Sequence, residues 1–230
     1  MSHPIRPNVS SEIVIPSGGV LLEGELKIPS GARGIVIFAH GSGSSRFSPR
    51  NQSVAAAIRQ SGLGTLLFDL LTRREEEGER LTRHLRFNID LLTTRLLHAT
   101  NWLRFQPGGD DLGIGYFGAS TGAAAALAAA AQLGKSIGAV VSRGGRPDLA
   151  AENLPRVQAP TLLIVGGNDD VVIELNKQAF AKLNCIKELS IIPGATHLFE
   201  ERGALEQVAG LATAWFSKYL VGSRSSRKAS

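Results

Sequence analysis

A repeating alternation constrains this chain more than any other feature. Short apolar runs of strand length, several ending in glycine, recur between longer segments whose apolar residues fall at helical spacing. SEIVIP and VLLEGELKIP, split by SGG, read as an N-terminal hairpin. GIVIFAHG and GTLLFDL read as buried strands, because an apolar run without polar alternation needs cover on both faces, and LGIGYFGAS, IGAVVS, PTLLIVGG and KELSIIPG read as further strands. SPRNQSVAAAIRQSG reads as a helix with Ser48 at the N-cap, Pro49 in the first turn and Gly62 at the stop. FNIDLLTTRLLHATNWLRF, TGAAAALAAAAQL, ELNKQAFAKLN and LEQVAGLATAWFSKYL supply further helices. Strands alternating with helices imply a mostly parallel, doubly wound sheet with an antiparallel hairpin at its start. No linker or repeat interrupts the rhythm. The expected organisation is an N-terminal extension over residues 1–10, one α/β domain over 11–220 and a disordered basic tail over 221–230.

Composition narrows the function classes. With 43% hydrophobic and 20% charged residues in a chain of 230, a sizeable core is available and disorder is excluded. The net charge of +5 comes partly from the tail GSRSSRKAS, and elsewhere basic residues mix with acidic ones, as in TRREEEGERLTRHLR. No basic stripe or aromatic RNA motif appears, so no nucleic-acid partner is expected. The alanine-rich segment is too short to span a bilayer, and the N-terminus carries no secretory pattern. Cys185 is the only cysteine, which fits a reducing cytoplasm and reads as a core thiol. No metal-ligand cluster is present, and neither metal nor cofactor is expected.

GIGYFGASTG, residues 113–122, satisfies two signatures at once. Gly113, Gly115 and Gly118 spell the dinucleotide fingerprint; Gly118, Ser120 and Gly122 spell the G-x-S-x-G nucleophile elbow. The fingerprint needs its first glycine after a strand and an acid about 20 residues on, to hold a ribose hydroxyl. Here the turn PGGDD precedes Gly113, and no Asp or Glu lies between Asp111 and Asp148. Gly113 and Gly115 are better explained by close backbone packing within a strand. The elbow needs a serine where a strand turns sharply into a helix, and Ser120 stands at that junction.

A serine hydroxyl is a weak nucleophile, so it needs an imidazole base that a carboxylate orients. In an elbow fold the order is Ser, then Asp or Glu, then His. LLIVGGNDDVV places Asp169 after a strand, and SIIPGATHLF places His197, the only histidine after Ser120, after the next. Asp170 shares the turn with Asp169, but the spacing G-x-x-D-x-x-V favours Asp169. Asp148 is a weaker candidate, and Asp69 precedes the serine and reads as structural. The oxyanion of the transition state needs backbone N–H donors. Thr121, after the nucleophile, is one candidate, and Ser42 in the loop IFAHGSGSSR is the other, with Gly43 behind it. His40 reads as shaping that loop.

HGSGSS, GASTG, GGNDD and GATH, in this order and spacing, resemble the α/β-hydrolase superfamily. Within it the chain is similar to the dienelactone-hydrolase-like family, over about residues 11 to 220. HGSGSSRFSPRN followed by LLFDLLT resembles a subgroup sometimes fused to phosphoribosyltransferase domains. The resemblance implies an α/β-hydrolase fold without a cap domain and acyl transfer to water. The chain departs from true dienelactone hydrolases at the elbow, where Ser120 stands in place of a cysteine.

The expected function is therefore cleavage of a small ester or lactone by Ser120, His197 and Asp169. A thioesterase or acyltransferase would use the same residues, and a noncatalytic binding protein would not need them. Arg46, Arg50, Arg143 and Arg146 follow strand ends, where a guanidinium can hold a carboxylate. Arg46, Arg50 and Arg143 are the candidates for selecting an anionic acyl substrate. TRREEEGERLTRHLR is placed to fold over the entrance.

Overall fold

Every residue of β3 (Gly34–Ala39) is buried, as an unbroken apolar run requires. Its side chains alternate, with Ile35, Ile37 and Ala39 entering one core and Val36 and Phe38 the other. That strand is central in an eight-stranded sheet of order β1-β2-β4-β3-β5-β6-β7-β8. The computed structural model describes residues 10–82 and 84–221; the expected tail beyond 221 and all but the last residue of the expected extension lie outside them. β1 (Ser10–Ser17) and β2 (Val20–Lys27) form the antiparallel hairpin, and β2 also runs antiparallel to β4 (Gly64–Phe68). β5 (Gly113–Ala119), β6 (Ile137–Arg143), β7 (Thr161–Gly166) and β8 (Lys187–Ile192) continue the sheet in parallel from β3.

Helices cover both faces. α3 (Ile89–Arg104), α4 (Thr121–Leu133) and α5 (Asp170–Lys182) pack on the face of Ile35 and Ile37. α1 (Pro49–Gln60) and α6 (Ala204–Val221) pack on the face of Val36 and Phe38. Gly115 is needed where α6 crosses, because a Cβ there would stand 2.9 Å from the Phe216 ring. Burying Phe216 and Leu220 at that crossing contributes roughly 1.5–3 kcal/mol each.

Two elements differ from the sequence reading. α5 begins at Asp170, four residues before the apolar pattern of ELNKQAF suggests. The acidic stretch after β4 is helical, forming α2 (Arg73–Thr82). Thr72 and Glu75 cap it reciprocally: the Thr72 N–H donates to Glu75 Oε2 at 2.8 Å, and the Glu75 N–H to Thr72 Oγ1 at 3.3 Å. Arg95, buried on α3, then clamps Glu75 at 2.6 and 2.8 Å. Charge pairing thus joins α2 to α3. The β6–β7 connection carries two short 3-10 turns and no cap domain. Among the described residues no helix is long and apolar enough to cross a membrane.

Candidate active site

The elbow is built by backbone crowding. Ser120 has φ +50° and ψ −120°, a region that costs a non-glycine residue about 1–3 kcal/mol. The surroundings hold it there: its N–H donates to the Arg143 carbonyl at 3.3 Å, and its carbonyl accepts from the Arg146 and Ala123 N–H groups at 3.1 Å. Gly118 and Gly122 flank it because any side chain would collide with backbone, at Ala123 in one case and at Ala39 and His40 in the other. Strain at one residue, enforced from three sides, presents Ser120 at the C-terminal end of β5.

His197 and Asp169 arrive from neighbouring strands. Asp169 follows β7 as the N-cap residue of α5, and its Oδ2 lies 2.6 Å from His197 Nδ1. A carboxylate at that position receives Nδ1–H, which leaves Nε2 as the basic nitrogen. His197 stands over the end of β6: a Cβ at Gly144, one residue past the carbonyl that receives the Ser120 N–H, would lie 3.5 Å from its Cε1. Asp170 begins α5 as its first helical residue. Asp148 is held bidentately by Arg146 at 2.8 and 2.9 Å. Asp69 accepts from the Arg46 N–H at 2.7 Å and pairs with the Arg46 guanidinium.

The loop after β3 turns tightly. The Ser44 N–H donates to the Gly41 carbonyl at 3.1 Å, with Gly43 at φ +69°, the arrangement of a type II turn with Ser42 at its second position. The Ser42 N–H does not face open solvent; it donates to the Thr121 hydroxyl at 3.1 Å. The N–H of Thr121, in the first turn of α4, has no intrahelical acceptor by position. Beneath the loop lies His40, whose Nε2 accepts the Leu70 N–H at 2.9 Å while Nδ1 meets the Gly41 carbonyl at 2.9 Å. That pattern requires the neutral ring with its proton on Nδ1. Complete burial pushes His40 below the ordinary histidine range, against the opposing pull of the Gly41 carbonyl, Asp69 and Glu76.

The arginines separate into two kinds. Arg46 bonds Asp69 and Glu23 and stacks on Phe47, so it braces the loop rather than standing as a free cation at its rim. Arg50 reaches Glu200 at 2.8 Å, tying α1 to the His197 loop. Arg143 is 8% exposed and no carboxylate among the described residues pairs with it. Sequence reasoning missed Arg86, which Glu79 holds through Nε at 3.0 Å and whose Nη1 would lie 3.8 Å from a Cβ at Gly43. Its signal, the capping box Thr72-Arg-Arg-Glu75 that starts α2, is present in the sequence. Gly43, Arg73, Glu76, Glu77 and Arg86 line an open cleft of about 420 Å³, which α2 borders. Among the described residues no group of three or more His, Cys, Asp or Glu side chains could hold a metal ion.

Comparison with known proteins agrees with this architecture. Residues 22–219 match the model of the dienelactone hydrolase family. A crystal structure of a dienelactone hydrolase from Anabaena variabilis is 58% identical, with a TM-score of 0.90 over 92% of this chain and 98% of that one. Est1E from Butyrivibrio proteoclasticus shares the fold at 17% identity, with a TM-score of 0.72 over 90% of this chain and 98% of that one. Two Mycobacterium tuberculosis proteins, from strains CDC 1551 and H37Rv, each bear the name "Putative phosphoribosyl transferase". Both are 54% identical over 95% of this chain but only 48% of their own length. The chain thus spans about half the length of these curated relatives. By the extent of the family match and its likeness to the Anabaena protein, the chain belongs to the dienelactone hydrolase family.

Proposed function

We propose that this hydrolase-family chain cleaves a small carboxylic ester or lactone through an acyl-enzyme on Ser120. One observation carries the reading: His197 Nδ1 lies 2.6 Å from Asp169 Oδ2, which leaves Nε2 as the base for a serine held in a strained elbow at Ser120. In this mechanism His197 Nε2 takes the hydroxyl proton as Ser120 Oγ bonds the carbonyl carbon. The carbonyl oxygen becomes an oxyanion, which receives the Thr121 and Ser42 N–H groups. For Ser42 this means exchanging its Thr121 hydroxyl partner for the substrate oxygen. The tetrahedral intermediate collapses, and the alkoxide leaves with the proton from His197. Water, deprotonated by His197, then attacks the acyl carbon and releases the acid. Asp169 orients the imidazole and stabilises its charged form throughout.

The name of the Anabaena relative supports a lactone or ester as the bond cleaved. A serine nucleophile is compatible with either. The test is hydrolysis of p-nitrophenyl esters and lactones by wild type and Ser120→Ala. The variant should lose up to roughly 10⁶ in kcat. A near-wild-type rate in the variant would overturn the assignment. Faster turnover of matched thioesters, or transfer to an added alcohol, would redirect it to a thioesterase or an acyltransferase.

A further inference from the structure

Residues 142–146, Ser-Arg-Gly-Gly-Arg, run off the end of β6 and touch both Ser120 and His197. The Arg143 carbonyl receives the Ser120 N–H at 3.3 Å, and the Arg146 N–H donates to the Ser120 carbonyl at 3.1 Å. Gly144, at φ +50°, lies against the His197 loop: a Cβ there would stand 3.2 Å from the His197 carbonyl oxygen and 3.5 Å from its Cε1. Gly145 is as crowded, since a Cβ there would collide with Ser142 Oγ. Two adjacent glycines are needed for the close approach, and they leave the backbone without side chains to fix it. The Gly144 N–H is tied to the Ile164 carbonyl at 2.8 Å. Among the described residues, the side chain that holds Gly145 is Asn176, whose Nδ2 donates to the Gly145 carbonyl at 3.0 Å.

Asn176 sits on α5 and is completely buried. Its Nδ2 also reaches the Val172 carbonyl at 2.8 Å, within the same helix, but its Oδ1 is buried without a partner. An amide with an orphaned acceptor is a poor choice for packing alone, because the unpaired oxygen costs stability that an apolar residue would not. What the amide supplies is the donor to Gly145. We propose that Asn176 is a positioning residue for the triad: through the Gly145 carbonyl it fixes residues 143–146, and through them the place of Ser120 relative to His197. The same helix carries Asp169 at its N-cap, about two turns before Asn176. One rigid element thus holds the carboxylate that orients His197 and the donor that sets the backbone on which Ser120 rests. No atom of Asn176 meets substrate in this role. The inference rests on the proposed hydrolase reading for what the alignment accomplishes, not for the alignment itself.

The test compares Asn176→Leu with Asn176→Ala. Asn176→Leu fills the space and offers no donor, so the Gly145 carbonyl loses its hold. Asn176→Ala opens room for a water beside that carbonyl, and a water can donate in place of the amide. On p-nitrophenyl esters, Asn176→Leu should lower kcat by about 10–100-fold with KM within about threefold, as a small misplacement of reacting groups does. Asn176→Ala should keep kcat about fivefold or more above Asn176→Leu, through the bridging water, even though its cavity gives it the lower Tm. A packing role would rank kcat and Tm in the same order. Backbone amide exchange reads the alignment without any chemistry: in Asn176→Leu the Ser120 and Arg146 N–H groups should exchange about tenfold faster or more, because the bonds they make across the elbow loosen. If Asn176→Leu does not fold, Asn176→Ala decides: a lower kcat at constant KM supports the role, and wild-type kcat with wild-type exchange overturns it. The role is also overturned if Asn176→Leu keeps wild-type exchange at both amides, or if its kcat is not below that of Asn176→Ala. Faster exchange in a protein that cleaves no ester would instead count against the proposed function alone.

Discussion

The backbone N–H of Ser42 donates to the side-chain hydroxyl of Thr121 at 3.1 Å, across 79 positions of sequence. One loop is thereby joined to the first turn of the helix that follows Ser120. The bond sets the distance between the two N–H groups on which the proposed oxyanion site depends. It also gives the Ser42 donor a partner whenever no substrate oxygen is present, so that this N–H is not left unsatisfied.

This relationship predicts an asymmetry between two substitutions. Ser42 occupies the second position of a type II turn, where proline is well tolerated, so Ser42→Pro deletes the N–H without refolding the loop. It should lower kcat by about 10²–10³, the usual effect of losing one oxyanion donor. Thr121→Val removes only the resting acceptor and should change kcat by less than about tenfold. Steady-state kinetics on one ester decides the matter. Equal losses in both variants would mean that the hydroxyl, not the N–H, meets the substrate.

How much of this was legible in sequence depends on the range of the interaction. The elbow was readable because Gly118, Ser120 and Gly122 solve a local crowding problem with neighbours in the chain. The pairing of Asp169 with His197 was readable because each follows a glycine-marked strand end. The pairing of Arg46 was not readable because its partners, Asp69 and Glu23, are each 23 positions away and only the hairpin's docking brings Glu23 near. α2 lacks an apolar stripe, so periodicity missed it, although its capping box is written in Thr72 and Glu75. The Ser42 to Thr121 bond carries no sequence signal at all, since it depends on where two loops end.

Acid should weaken the protein through His40. Burial lowers its folded-state pKa, so between the ordinary histidine range and that lower value the unfolded chain binds the extra proton. The stability held by neutral His40 is present above about pH 6.5 and is lost as pH falls below it. His40→Gln can still accept from Leu70 and donate to the Gly41 carbonyl without titrating. Denaturant unfolding should show a wild-type pH slope steeper by up to about 1.4 kcal/mol per unit on the acid side. Identical slopes in the two proteins would rule His40 out as the source.

Arg46 should matter for stability rather than for the choice of substrate charge. Its bonds to Asp69 hold the loop after β3 against the end of β4. Arg46→Ala should cost roughly 1.5–3 kcal/mol, typical of hydrogen bonds to a charged partner. The preference between matched neutral and anionic esters should stay where it was. Denaturant titration and paired kcat/KM values check both halves, and a changed charge preference at full stability would contradict the assignment.

The most direct measurement is covalent labelling with a fluorophosphonate, read by intact mass and peptide mapping. One adduct should form on Ser120, since the reagent needs an activated serine and mimics the tetrahedral state. Ser120→Ala should remain unlabelled, and Asp169→Asn should react about 10⁴-fold more slowly because His197 loses its orienting partner. Labelling at another serine, or no loss of rate in Asp169→Asn, would contradict the proposed triad.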